Sequence, residues 1–287
     1  MLLFNQFIQP TLFYASCCSH LCLLLTNKTN TTIMKRTIVL AAFSVVLFSC
    51  GKDDNKSSVQ AGPEVAVHHG KSWSWIHVDG KNKPLEVGIT INEAALNSVP
   101  VGQQDEDGHD MHENSFLVPL PALAKEVTPF KTIMLDWNPA GHPPADIYTL
   151  PHFDLHFYMV SKEEIMNMTD MDKLEADPAS GYIPANHLPG PGVPMMGKHW
   201  IDPASPEMQP GGTFSQTFLY GSYDSKVVFY EPMITLDFLK NTTHFERTIP
   251  QPAKYQQAGY YPTKMKVLKR GGATNIILTD FVQRQAS

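Results

Sequence analysis

Residues 151–159, PHFDLHFYM, alternate polar and apolar side chains without a slip. His152, Asp154, His156 and Tyr158 share one parity; Phe153, Leu155, Phe157 and Met159 share the other. A period of two with this aromatic load predicts a β-strand with one apolar face and one ionisable face. The His-x-x-x-His spacing would suit zinc on a helix, but the alternation argues against a helix. Along a strand, residues two apart are separated by ~6.6 Å and residues four apart by ~13 Å. His152 and Asp154, or Asp154 and His156, can therefore share one metal ion. His152 and His156 cannot, unless the strand bulges or bends.

Other runs read the same way: 72–78, 131–137, 213–223, 226–235 and 275–281 are rich in aromatic and β-branched residues and bounded by turn formers. GSYDSK, between two of them, suits a hairpin turn. The 23 prolines are scattered, which disfavours long helices. Short helices are expected where Thr90 and Glu93, and Ser161 and Glu164, form capping boxes. The expected fold is mainly antiparallel β, a sandwich or barrel-like, with a few short helices; β-rich α+β is the alternative.

The N-terminus bears on location. MKRTIVLAAFSVVLFSC, from Met34, has a basic start (Lys35, Arg36), an apolar run and a small residue before Cys50, the pattern of a secretory signal. LFSC resembles a bacterial lipobox, with Cys50 as the lipidated residue, although Phe48 is bulkier than usual there. The polar GKDDNKSS that follows reads as a linker, and its Lys-Asp-Asp resembles a surface-export signal of Bacteroidetes lipoproteins. Residues 1–49 are thus expected to be an upstream extension plus signal peptide, with Met34 as the real start. Residues 50–63 would be a lipid-anchored linker and 64–287 a single β-rich domain. The expected location is the bacterial outer membrane, surface-facing, held through Cys50.

Processing at Cys50 would remove Cys17, Cys18 and Cys22, leaving no disulfide framework or thiolate site. Residues 1–49 hold three basic and no acidic residues, so the remainder carries a net charge of about −9, against −6 for the whole chain. Such an acidic chain has no basic footprint for nucleic acid. GVPMMGKH (192–199) matches the spacing of a phosphate-binding loop, but His199 replaces the Ser or Thr that would hold magnesium and Pro194 interrupts it. No nucleotide is expected.

Partners for the ionisable face stand in unusual settings. DWNPAGHPP places His142 in a proline-rich loop ten residues before His152. GVPMMGKHWIDPASPE carries His199, Asp202 and Glu207, and FYEPMIT puts Glu231 inside an apolar strand. A buried carboxylate needs a partner, since an unpaired buried charge is costly. Each also has a structural reading: loop hydrogen bonding for His142, packing on Trp200 for His199, an edge strand for Glu231. His187 reads as a surface-loop residue, and 103–114 as a solvated acidic loop without the EF-hand ligand spacing.

DWNPAGHPPADIYTLPHFDLHFYM, VPMMGKHW and YGSYDSKVVFYEPMIT resemble a bacterial domain family of unknown function. That family is typified by a small Thermus thermophilus protein under extracytoplasmic sigma-factor control. The resemblance extends over about residues 64–260 and implies a fold and an envelope location, but no reaction. Residues 262–287 lie outside the recognised blocks.

These readings converge on an envelope-tethered protein with a metal pocket lined by His142, His152, Asp154, His156, His199 and Glu231. Nitrogen and oxygen ligands without sulfur admit zinc, manganese, iron or copper, with zinc the default. With an open coordination position, the natural chemistry is metal-dependent hydrolysis. The alternative is a non-catalytic envelope module that binds a partner or forms a homo-oligomer, its polar cluster being a buried hydrogen-bond network.

Overall fold

The computed structural model describes residues 56–102 and 114–287. Along the chain, β1 (Ser58–Ala61), β2 (Val65–Val67), β3 (Gly70–Val78) and β4 (Pro84–Asn92) come first. The middle of the chain supplies β5 (Ser115–Val118), β6 (Thr132–Asn138), β7 (His152–Tyr158), β8 (Leu188–Val193), β9 (Gly197–Ile201), β10 (Gln216–Tyr223) and β11 (Lys226–Thr235). It ends with β12 (His244–Thr248), β13 (Gly259–Tyr261), β14 (Lys264–Arg270), β15 (Ala273–Thr279) and β16 (Val282–Arg284). The middle segment forms one seven-stranded sheet, ordered β5-β6-β7-β11-β10-β9-β8. The two ends of the segment sequence combine in the other, ordered β1-β3-β4-β15-β14-β12 with β2 on β3, while β13 and β16 pair separately. The pairings are antiparallel, and the sheets do not close into a barrel.

The two large sheets bury a shared core. Ile76, Val87, Ile89 and Leu278 come from one sheet, and Leu135, Phe153, Leu155 and Phe157 from the other. Each such side chain contributes about 1.5–3 kcal/mol on burial, so the apolar parity of β7 faces this core. The sandwich expected from strand periodicity is the observed architecture.

Local differences have local causes. The short helix near Thr90 begins two residues later, because alternating Ile89 and Ile91 extend β4 to Asn92. Asn92, not Thr90, caps it by accepting from the Ala95 N–H. Ser161 and Glu164 do form a capping box, on the helix Lys162–Met166. The expected 50–63 linker contains β1, paired with β3 from Ser58↔Val78 to Ala61↔Trp75. Residues 262–287, outside the recognised blocks, supply β14 and β15, and β15 lies inside the sheet that contains β3 and β4, between β4 and β14. In GSYDSK, Asp224 (φ 51°) and Ser225 (φ 61°) take the left-handed conformations that a tight two-residue hairpin needs. Residues 1–55, including Cys50, and the acidic loop 103–113 lie outside the described residues.

Candidate metal centre

The polar parity of β7 faces away from the shared core, yet all seven residues of the strand are buried. Loops cover that outer face and pack two small apolar clusters onto it. Tyr148, Phe214, Leu219 and Met233 form one; Tyr158, Ile165, Met168 and Phe229 form the other. Antiparallel register aligns the ionisable groups between them. Asn138 and Asp136 of β6 stand opposite His152 and Asp154. On the other side, Thr235 and Met233 of β11 stand opposite the same two residues. The β7–β11 ladder is not registered across Glu231 and Pro232, where proline has no N–H to give. Glu231 is therefore on a central strand, not the edge strand that Pro232 would suit.

One set of donors gathers on Asp154. His152 Nε2 lies 3.1 Å from Asp154 Oδ1, and His142 Nε2 lies 3.3 Å from Oδ2. The two imidazoles meet edge to face, with centroids 4.7 Å apart. His142 comes from the β6–β7 loop, whose turn is fixed by its N–H bond to Tyr148 O, 2.9 Å. Gly141 makes the turn possible: its φ is +74°, and a Cβ there would lie 2.2 Å from the Tyr148 carbonyl oxygen. Asn138 Nδ2 donates to Asp154 Oδ2 at 2.8 Å, holding the carboxylate in place.

A second set gathers on Glu231. His156 Nε2 lies 3.3 Å from Glu231 Oε1, and His199 Nε2 lies 3.5 Å from Oε2. β9 brings His199 in opposite Gly221 of β10. The absent side chain at Gly221 leaves room for the Phe229 ring, whose nearest atom would lie 1.9 Å from a Cβ there. That ring packs edge-on against both His156 and His199, at 4.9 and 5.3 Å. Tyr158 also packs on His156, with planes 14° apart, and meets the Phe229 ring at 5.2 Å.

Every one of the four imidazoles is tethered through Nδ1. His142 bonds Pro143 O and His152 bonds Leu150 O, both at 2.6 Å; His156 bonds Asp136 Oδ2 at 2.9 Å and His199 bonds Pro191 O at 3.5 Å. A carbonyl or carboxylate accepts, so each Nδ1 carries a proton and each Nε2 faces a carboxylate, offering a lone pair whenever the ring is neutral. Buried His152 Nε2, Asp154 Oδ1, His156 Nε2 and Glu231 Oε2 make no hydrogen bond. Lone pairs facing lone pairs require a cation, either a proton or a metal ion.

Electrostatics shows the same tension. Burial works to raise the Asp154 carboxyl, but the charges of His152 and His142 and the hydrogen bond from His142 hold it well below the usual range. Burial works to lower His142, yet its hydrogen bond to Asp154 and that group's charge bring it up to about 9. Burial, then the charge of His156, pushes His199 down to about 3. Glu231 is pushed up by burial and only partly relieved by the charge of His156. The second set thus has a carboxylate whose ionised form the protein alone does not fully compensate.

Two groups that could hold a metal result: His142, His152 and Asp154, and His156, His199 and Glu231. All six residues singled out in the sequence lie here, divided between two sets instead of lining one pocket. His152 and His156 fall in different sets, in keeping with their strand spacing. Asp136 and Asn138 were missed. Both lie on one parity of β6, and polar residues alternating with Leu135 and Trp137 were the available signal. Asp202 instead lies 3.5 Å from Arg247 Nη2. His187 is not a surface residue: it is 9% exposed, its ring edge-on to Tyr220 at 5.7 Å.

Residues 79–137 match the model of the TTHB210-like family, described as Hypothetical protein TTHB210. The chain is similar to that family over this segment, which includes β4, β5 and β6 up to Trp137. The match is shorter than the 64–260 resemblance and contains Asp136 but none of the six candidate ligands. No curated protein matches the chain, and no solved structure does.

Proposed function

We propose that this protein binds divalent metal at the covered outer face of the sheet that contains β7, with zinc as the default ion. The observation that supports this most is the common arrangement of four imidazoles, each tethered at Nδ1 and aiming Nε2 at a carboxylate oxygen 3.1–3.5 Å away. Ligands about 2.0–2.2 Å from a tetrahedral centre are ~3.3–3.6 Å from one another. The observed separations lie close to that range. Nδ1 tethering by a carbonyl or carboxylate is also what orients metal-bound histidines elsewhere.

Each set is two histidines and one carboxylate, a donor combination used by zinc hydrolases and by non-haem iron enzymes. Bound metal would supply an activated water, so metal-dependent hydrolysis is the reaction class we assign. The chain's own residues position the donors: Asn138 holds Asp154, and Asp136 holds His156. The competing reading, a non-catalytic module with imidazolium–carboxylate pairs, draws support from the raised His142. Elemental analysis of purified, tag-free protein separates them. Stoichiometric metal supports the proposal, and metal-free protein that takes up none on addition of Zn(II) overturns it.

We further propose that the protein acts at the bacterial outer membrane, tethered through a lipid on Cys50. The basic residues, apolar run and LFSC of 34–50 support this, and Lys52, Asp53 and Asp54 support surface exposure. The acidic remainder of the chain offers nucleic acid no excess of basic charge.

A further inference from the structure

Resting on the metal reading, the geometry points to two ions of unequal kind: a closed structural ion at His156, His199 and Glu231, and an exchangeable, solvent-facing ion at His142, His152 and Asp154.

The sets share no ligand. Both Asp154 oxygens face His142 and His152, and both Glu231 oxygens face His156 and His199. Asp154 and His156 are two residues apart on β7, which separates their Cα atoms by about 6.6–6.8 Å. With no ligand in common to bridge two ions, each set is read as a mononuclear site, unlike the paired ions that clamp one substrate.

Their surroundings differ. The Glu231 set draws every ligand from a strand, β7, β9 or β11, and their side chains are 0%, 14% and 1% exposed. Phe229 and Tyr158 both pack against the His156 ring. A cavity of about 70 Å3 beside it, lined by Met134, Asp136, Tyr158 and Ile165, reaches none of the three ligands. Two nitrogens and both Glu231 oxygens would offer an ion four donors without water, as a structural site requires.

The Asp154 set takes His142 from a loop, and that side chain is 34% exposed. Asp154 Oδ2 already accepts a hydrogen bond from Asn138, which limits its capacity for a metal. An ion here has fewer committed donors and one side open to water. This is therefore the position for an activated water and for exchange with solvent, while the other ion fixes β7, β9 and β11 together.

The test uses the purified, tag-free protein, stripped of metal and reloaded with Zn(II), then mixed with an excess of a chromophoric chelator. Two zinc ions per chain are expected, released in two phases of equal amplitude. The slow phase should be at least about tenfold slower than the fast one, the scale on which a metal's surroundings alter its binding. His142→Ala should lose the fast phase alone and retain one slowly released ion, with its folding checked by circular dichroism. His199→Ala should lose the slow phase; if it does not fold, His142→Ala decides alone. One zinc per chain, a single release phase, or loss of both ions in His142→Ala overturns the two-ion inference while leaving metal binding intact. No zinc at all overturns both.

Discussion

Asp136 stands directly opposite Asp154 across the β6–β7 ladder, yet its carboxylate turns diagonally to His156, accepting the Nδ1 hydrogen at 2.9 Å. Two carboxylates facing each other on neighbouring strands are ordinarily destabilising. Here each turns to a different imidazole, so one polar face is divided into two separate sets.

Asp136→Ala should therefore weaken zinc binding at the Glu231 set by about 10–100-fold, the usual cost of removing a group that orients a metal-bound histidine. The Asp154 set should keep its affinity. Competition titration with a zinc-sensitive dye checks this, and equal weakening at both sets would remove the positioning role.

Metal should change the pH dependence of stability. In metal-free protein, His142 and His156 are each raised to about 9. Raised imidazoles contribute stability that is complete below their unfolded value of 6.5 and lost as pH rises through about 9. Glu231, pushed up to about 8, adds a loss in the same direction until that pH. The metal-free melting temperature should thus fall between pH 7 and 9. Metal binding needs unprotonated ligands, so zinc's contribution should grow over the same window. Thermal melts with and without zinc measure both slopes; parallel slopes would contradict the account.

How much of this was legible in the chain follows from what is local. The alternation of 151–159 was enough to place His152, Asp154 and His156 on one face, because strand parity needs no tertiary information. The division into two sets was not readable. It depends on β7 pairing with β11 and β9 joining through β10, contacts between residues far apart in sequence. His187 was misread for the same reason, since only the fold brings Tyr220 over its ring. β15 is fixed by pairing with β4, nearly two hundred residues earlier, so its central place was invisible from the C-terminal sequence.

Gly221→Ala should disturb the Glu231 set without touching a ligand. The new methyl would overlap the Phe229 ring, and overpacking of this kind costs about 1–3 kcal/mol. Since that ring packs on His156 and His199, zinc affinity there should fall together with melting temperature. His187→Ala, by contrast, should leave zinc stoichiometry unchanged, because His187 belongs to neither set.

Cys50→Ser should leave the protein unacylated and release it from the membrane fraction. Labelled palmitate uptake and membrane partitioning check this. Wild type without label, together with a mutant still bound to membranes, would exclude the anchor.

The central claim is tested most directly by crystals soaked in Zn(II), with anomalous differences collected at the zinc edge. The account predicts peaks about 2.0–2.2 Å from the Nε2 atoms of His156 and His199 and from those of His142 and His152. Maps without a peak at either position, with the imidazoles still in direct contact with Asp154 and Glu231, would contradict it.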